Sequence, residues 1–165
     1  MGGPSDLGSS GPLSPVPVPD QHKIDIPGLR ERLWKAILSD PDCMAFLGIN
    51  GAVSILSLVD KIPIDVQTYF DRDIGAQTDV ETSLDSYTIQ NPSIHINSSG
   101  PFFPGKGLTE VGVRGSPRTQ AIIMFHELAH AADAIPKDSA SSKQSQKNTQ
   151  TVKQKCKKAV ENFGK

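Results

Sequence analysis

The chain has 165 residues, 36% of them hydrophobic and 21% charged, with a formal charge of −1. That length suits one domain able to bury its own core, and the near-zero charge provides no global field to recruit nucleic acid or anionic lipid. No apolar run approaches the roughly 20 residues of a membrane helix, so a soluble domain is the expectation. The first residues, Met1-Gly2-Gly3-Pro4-Ser5-Asp6, carry neither a basic nor an apolar leader segment. Cytoplasmic residence is the default expectation, and export remains open.

Residues 1–24 are rich in Gly, Pro and Ser. Pro15, Pro17 and Pro19 alternate, as in an extended, unpacked tail. The folded domain is expected over 25–165. Leu29, Leu33, Trp34, Ile37 and Leu38 recur at helical spacing up to Asp40-Pro41. A short helix follows through Ala45, Phe46 and Leu47 and stops at Gly48, and the apolar stretch 52–59 reads as a buried helix.

The pattern then changes to period two. Ile62, Ile64 and Val66 alternate with polar residues as in a strand, and Asp71-Arg72-Asp73-Ile74-Gly75 reads as a turn. Further strands are expected at 76–82, 85–90 and 93–97, with Asn91-Pro92 turning between the last two. Ser116-Pro117 has the chemistry of a helix start, a capping hydroxyl followed by proline. Its apolar set runs from Ala121 through Ala132, and the helix is expected to continue to Pro136, which ends it. Val152, Cys156, Ala159, Val160 and Phe163 then mark one last amphipathic helix, with Lys153, Lys155, Lys157 and Lys158 on its solvated face. Helices, a small sheet and two more helices make an α+β arrangement.

The only cysteines are Cys43 and Cys156. They are either two buried thiols or one disulfide tying an early helix to the last, worth about 4–5 kcal/mol in the chain-entropy model.

Chemistry is concentrated in His126-Glu127-Leu128-Ala129-His130. Two imidazoles four residues apart lie on one helix face, one turn above the other, and can reach a single metal ion. Glu127 stands beside them, where it can take a proton from water activated by that ion. The chain has only 4 histidines, which makes an accidental match rare. Uncharged neighbours in Ile123-Met124-Phe125 and Ala131-Ala132 keep water from the helix flanks.

Through Ile123-Met124-Phe125-His126-Glu127-Leu128-Ala129-His130-Ala131 the chain resembles the zincin superfamily of metallopeptidases. The resemblance implies Zn²⁺ on His126 and His130, peptide-bond hydrolysis with Glu127 as general base, and a small, mostly antiparallel sheet packed on the metal helix. It also implies a peptide or protein substrate extended along the sheet edge. The metzincin continuation is absent, since Asp133 and Pro136 stand at its Gly and ligand positions. The thermolysin-like glutamate position is filled by Gln150.

Three acids remain for the third ligand: Asp138, Asp133 and Glu161. Asp138 is favoured, because it follows the Pro136 break where the chain can fold back under the metal. Asp133, one turn past His130, suits a helix end, and Glu161 lies off the apolar stripe of the last helix. Tyr69 and Tyr87 are candidate oxyanion donors, and His95 a candidate only if its strand edges the cleft. Phe102 and Phe103 either line a substrate pocket or cover the core, and His22 lies in or beside the tail, with no role expected of it. Two other function classes remain: a non-catalytic zinc-binding interaction module, and an effector-type domain released from a longer polypeptide.

Overall fold

Short polar caps set the helical boundaries at the start of the described chain. The computed structural model describes residues 22–48, 55–69, 71–82, 89–138 and 142–165. Helix α1 (Ile26–Leu38) starts where the Asp25 carboxylate accepts the Gly28 amide at 3.1 Å. Its Leu29, Leu33, Ala36 and Ile37 form the buried stripe. Helix α2 (Pro41–Leu47) starts on Asp40 and ends at Gly48. Helix α3 (Ile55–Lys61) is the described part of the apolar stretch. Of the expected tail over residues 1–24, residues 1–21 lie outside the described residues.

Three strands follow: β1 (Ile64–Gln67), β2 (Ala76–Thr82) and β3 (Ile89–Asn97). They make a sheet of order β1-β3-β2, in which β1 runs parallel to β3 and β2 antiparallel. The turn before β2 is held by the Asp73 amide donating to the Asp71 carboxylate at 2.8 Å. Asn91-Pro92 is not a turn. Strand β3 passes straight through it, because its pairing with β2 shifts register between Asp79 and Glu81. Proline lacks an amide to donate, and such an irregularity is where a strand tolerates that. The rest of the expected 85–90 strand begins at Ile89, and residues 83–88 lie outside the described ones. A two-stranded hairpin, β4 (Leu108–Thr109) with β5 (Gly112–Val113), carries no sequence pattern long enough to announce it.

Helix α4 (Pro117–Ala131) starts on Ser116, whose Oγ accepts the Thr119 amide at 3.2 Å. Every residue from Ala121 to Ala129 is buried, as expected of a helix covered on all sides. Strands β2 and β3 pack on one side of it, and α5 (Ser142–Lys155) and α6 (Lys157–Asn162) on the other. The helix does not reach Pro136. Asp133 adopts a left-handed φ of 57°, the Ala134 amide donates to the Ala129 carbonyl at 2.8 Å, and the Asp133 amide donates to the His130 carbonyl at 3.0 Å. This pair of bonds is a Schellman closure with aspartate in the place glycine usually takes.

The expected last helix is two helices. The chain breaks at Cys156, which forms a disulfide with Cys43. The Asp40 carboxylate then serves both sides of that crosslink: one oxygen accepts the Cys43 amide at 3.0 Å, the other the Ala159 amide at 2.9 Å. Among the described residues the fold is therefore α+β, with six helices and a small sheet, and no helix is long and apolar enough to cross a membrane.

Candidate metal centre

The helical period places His126 and His130 on one face of α4, and their Nε2 atoms are 3.1 Å apart. Beyond the Asp133 closure the chain turns back, and Asp138 arrives between them. Its Oδ2 lies 3.1 Å from His126 Nε2 and its Oδ1 3.2 Å from His130 Nε2. Among the described residues these three form the one group of His, Cys, Asp or Glu whose ligand atoms lie within 4.8 Å of one another. Asp133 is exposed at the helix end and Glu161 is exposed on α6, so neither joins them.

The donor set can be tested against an ion. Zinc takes imidazole nitrogen and carboxylate oxygen at about 2.0–2.2 Å in tetrahedral geometry, which sets neighbouring donors about 3.3 Å apart. Here the two Nε2 atoms are 3.1 Å apart and each lies 3.1 to 3.2 Å from a different oxygen of Asp138, and with one ligand atom taken from each residue all three lie within 4.8 Å of one another. Two nitrogens and one carboxylate are also the ligand types zinc prefers, so the residues fit the ion.

Helix α5 supports the group with two consecutive residues. The His126 Nδ1 lies 3.0 Å from Thr149 Oγ1. With the Nδ1 proton on that bond, the Nε2 lone pair faces the other two donors. Asn148 donates from Nδ2 to Asp138 Oδ1 at 2.7 Å and to the Pro136 carbonyl at 2.8 Å, and its own Oδ1 accepts from Gln144 at 2.9 Å. Asn148 and Thr149 are buried while Gln150 is exposed. Sequence reasoning missed the first two. The available signal was their spacing: they stand four and three residues before buried Val152, polar positions on an apolar stripe.

Glu127 is 6% exposed and is held from the sheet. Thr78 of β2 places its hydroxyl 2.8 Å from Glu127 Oε1 and 3.1 Å from the Glu127 carbonyl oxygen. Burial raises the Glu127 carboxyl above its usual range, against the opposing pull of His126, His130 and the Thr78 hydrogen bond. Burial would lower His126, but the hydrogen bond to Asp138 and the negative charges of Glu127 and Asp138 outweigh it and raise the imidazole. Burial would raise Asp138, yet its hydrogen bonds to His126, His130 and Asn148 and the charge of His126 hold it well below the carboxylate range.

Of the other candidates, Tyr69 is buried, and its hydroxyl has no hydrogen-bond partner. Burial, then the charges of Asp79, Asp65 and Glu127, push its phenol upward, so it stays a neutral O–H donor at physiological pH. Tyr87 lies outside the described residues. His95 is turned away from the centre. Ile94 and Ile96 face α4, and His95, paired with Asp65 and Gln77 in the register, faces outward. Its Nδ1 lies 2.5 Å from Asp65 and its Nε2 3.0 Å from Asp79, so it ties the three strands together. Phe102 and Phe103 are buried and edge-on at 5.4 Å, covering the core, and His22 stacks on Phe103 at 4.5 Å.

The chain matches no protein-family model, no curated protein and no solved structure. A functional reading therefore draws on the site itself.

Proposed function

We propose that the chain is a zinc-dependent hydrolase of zincin type that cleaves peptide bonds. The observation that carries this reading is the cluster of His126, His130 and Asp138, whose ligand atoms lie within 4.8 Å of one another, one helical step from a buried glutamate. Three protein donors leave a tetrahedral ion one open position, the arrangement of catalytic rather than structural zinc. That also weighs against a non-catalytic zinc module.

His126, His130 and Asp138 would hold the ion, with Thr149 and Asn148 keeping the first and last of them in position. When bound, the ion acts as a Lewis acid on a substrate carbonyl and lowers the pKa of water. The remaining work falls to the chain. Thr78 fixes Glu127 through Oε1, and burial raises the affinity of that carboxylate for a proton, as a general base near neutral pH requires. Glu127 takes the proton from the attacking water and hands it to the departing amine. An extended substrate is accommodated at the outer edge of β2, which pairs only with β3 among the described residues and touches Glu127 through Thr78. Tyr69 provides a buried O–H donor within the electrostatic reach of Glu127.

Elemental mass spectrometry on protein purified without a metal-binding tag should give close to one zinc per chain. Glu127→Gln should keep the zinc and lower cleavage of a peptide library by at least about 100-fold. A zinc-free protein that takes up none, or full activity in Glu127→Gln, would overturn the reading.

A further inference from the structure

A cavity of about 220 Å³ lies in the loops before α4 and shares no residue with the candidate metal centre. It holds several waters' worth of space, since a water takes about 30 Å³ of liquid volume. Its lining includes His22, Arg72 and Arg114 and no acidic side chain. That is a local excess of positive charge in a chain whose net charge is −1.

Arg114 is the unusual member. Its side chain is only 8% exposed. Its Nη1 donates to the Arg72 carbonyl at a long 3.3 Å, and its Nη2 stands 3.8 Å from an Asp73 carboxylate that is 83% exposed. An ion pair so long and so wet contributes little. The Nε–H is buried with no partner, and so is His22 Nδ1 on the same cavity. A buried donor left unmade on a charged group is costly, and such groups are normally satisfied. The surroundings are preorganised around them. The His22 ring is fixed by its stack on Phe103, with the planes 19° apart. Gly105 lets the Arg114 stem lie against the backbone, where a Cβ would come within 3.2 Å of Arg114 Cδ.

We propose that this cavity is an oxyanion-binding site, taking a carboxylate or phosphate group on Arg114 Nε and His22 Nδ1, with Arg72 at the rim. Charge-assisted bonds from a guanidinium to such groups are the ones that satisfy its donors best. The proposal is independent of the zinc reading.

The test is a titration of the full chain with inorganic phosphate and, separately, with acetate, at ionic strength held constant with sodium chloride. The readout is the ¹H–¹⁵N resonance of Arg114 Nε, assigned by its loss in Arg114→Lys. A saturable shift at millimolar anion or below is expected, with Arg72→Gln and His22→Ala each weakening it about three- to tenfold. The tighter of the two anions identifies the source, a phosphorylated group or a carboxylate. No saturable shift from either up to roughly 50 mM, where even a weak site registers, would overturn the proposal. So would unchanged binding in the Arg72→Gln/His22→Ala double variant, which also serves if Arg114→Lys does not fold. Glu127→Gln should bind both anions like the unaltered chain, which separates failure here from failure of the hydrolase reading.

Discussion

Asn148 and Thr149 hold two of the three residues of the candidate metal centre in place. A carboxylate 35% exposed on a loop has rotamers to spare, and Asn148 removes them by holding both Asp138 Oδ1 and the Pro136 carbonyl. Loss of such a supporting bond typically costs about 10- to 100-fold in metal affinity. Asn148→Ala and Thr149→Val are each expected to weaken zinc binding by about that factor, read by chelator competition. Asp138→Ala should lose stoichiometric zinc altogether. Unchanged zinc content in Asp138→Ala would return the third-ligand question to Asp133 and Glu161.

At the scale of elements, Asp40 joins what the disulfide joins. It is 2% exposed, and its two oxygens cap the amides of Cys43 in α2 and Ala159 in α6. An N-cap is worth about 0.5–2 kcal/mol, and Asp40 supplies two from one buried group. Asp40→Ala is therefore expected to lower unfolding free energy by about 2–4 kcal/mol, measured by urea denaturation with the disulfide intact. A loss under about 1 kcal/mol would mean that water replaces both caps. The break between α5 and α6 has the same origin. One uninterrupted helix would leave the amide of Ala159 to its own carbonyl ladder, whereas the observed chain turns it toward Asp40.

For the whole molecule, the Cys43–Cys156 bond closes a loop across 113 residues of sequence separation. Chain entropy values that closure at about 4–5 kcal/mol. The Cys43→Ser/Cys156→Ser variant should lose stability of that order in the same urea assay. It should also weaken zinc binding, because α5 carries Asn148 and Thr149 on the helix that Cys156 anchors.

The metal-free protein has a further dependence on pH. Asp138 is lowered below its ordinary 3.8, so its contribution is present above that pH and lost as pH falls through the folded value. His126 is raised above 6.5, so its contribution is present below 6.5 and lost as pH rises through the folded value. Glu127 is raised above 4.5, so its contribution is present below 4.5 and lost as pH rises through its folded value. Chelator-treated protein should be most stable near about pH 4 to 4.5, less stable at pH 5.5 and less still at pH 8. A urea midpoint at pH 8 equal to or above that at pH 5.5 would contradict these directions.

How much of this was legible beforehand follows from the range of each interaction. Helices α1, α2 and α4, the first strand, the turn at Asp71 and the pairing of His126 with His130 rest on contacts within a few residues, and periodicity and capping chemistry report such contacts directly. Asp138 could be favoured because a proline break limits where the chain goes next. The straight passage of β3 through Asn91-Pro92 could not be read, because the shift that tolerates it belongs to the pairing with β2. The Asp133 closure also escaped, since an aspartate in the left-handed region is uncommon and its bonds to Ala129 and His130 form only once the helix stops. Residues that meet across 23 positions, as Thr149 meets His126, or across 119, as Ala159 meets Asp40, leave no periodic trace. By itself the sequence determined which side chains could bind a metal and on which helix face they stand. Only the tertiary structure decided what holds them there, because side-chain hydrogen bonds depend on distances that packing of distant segments creates.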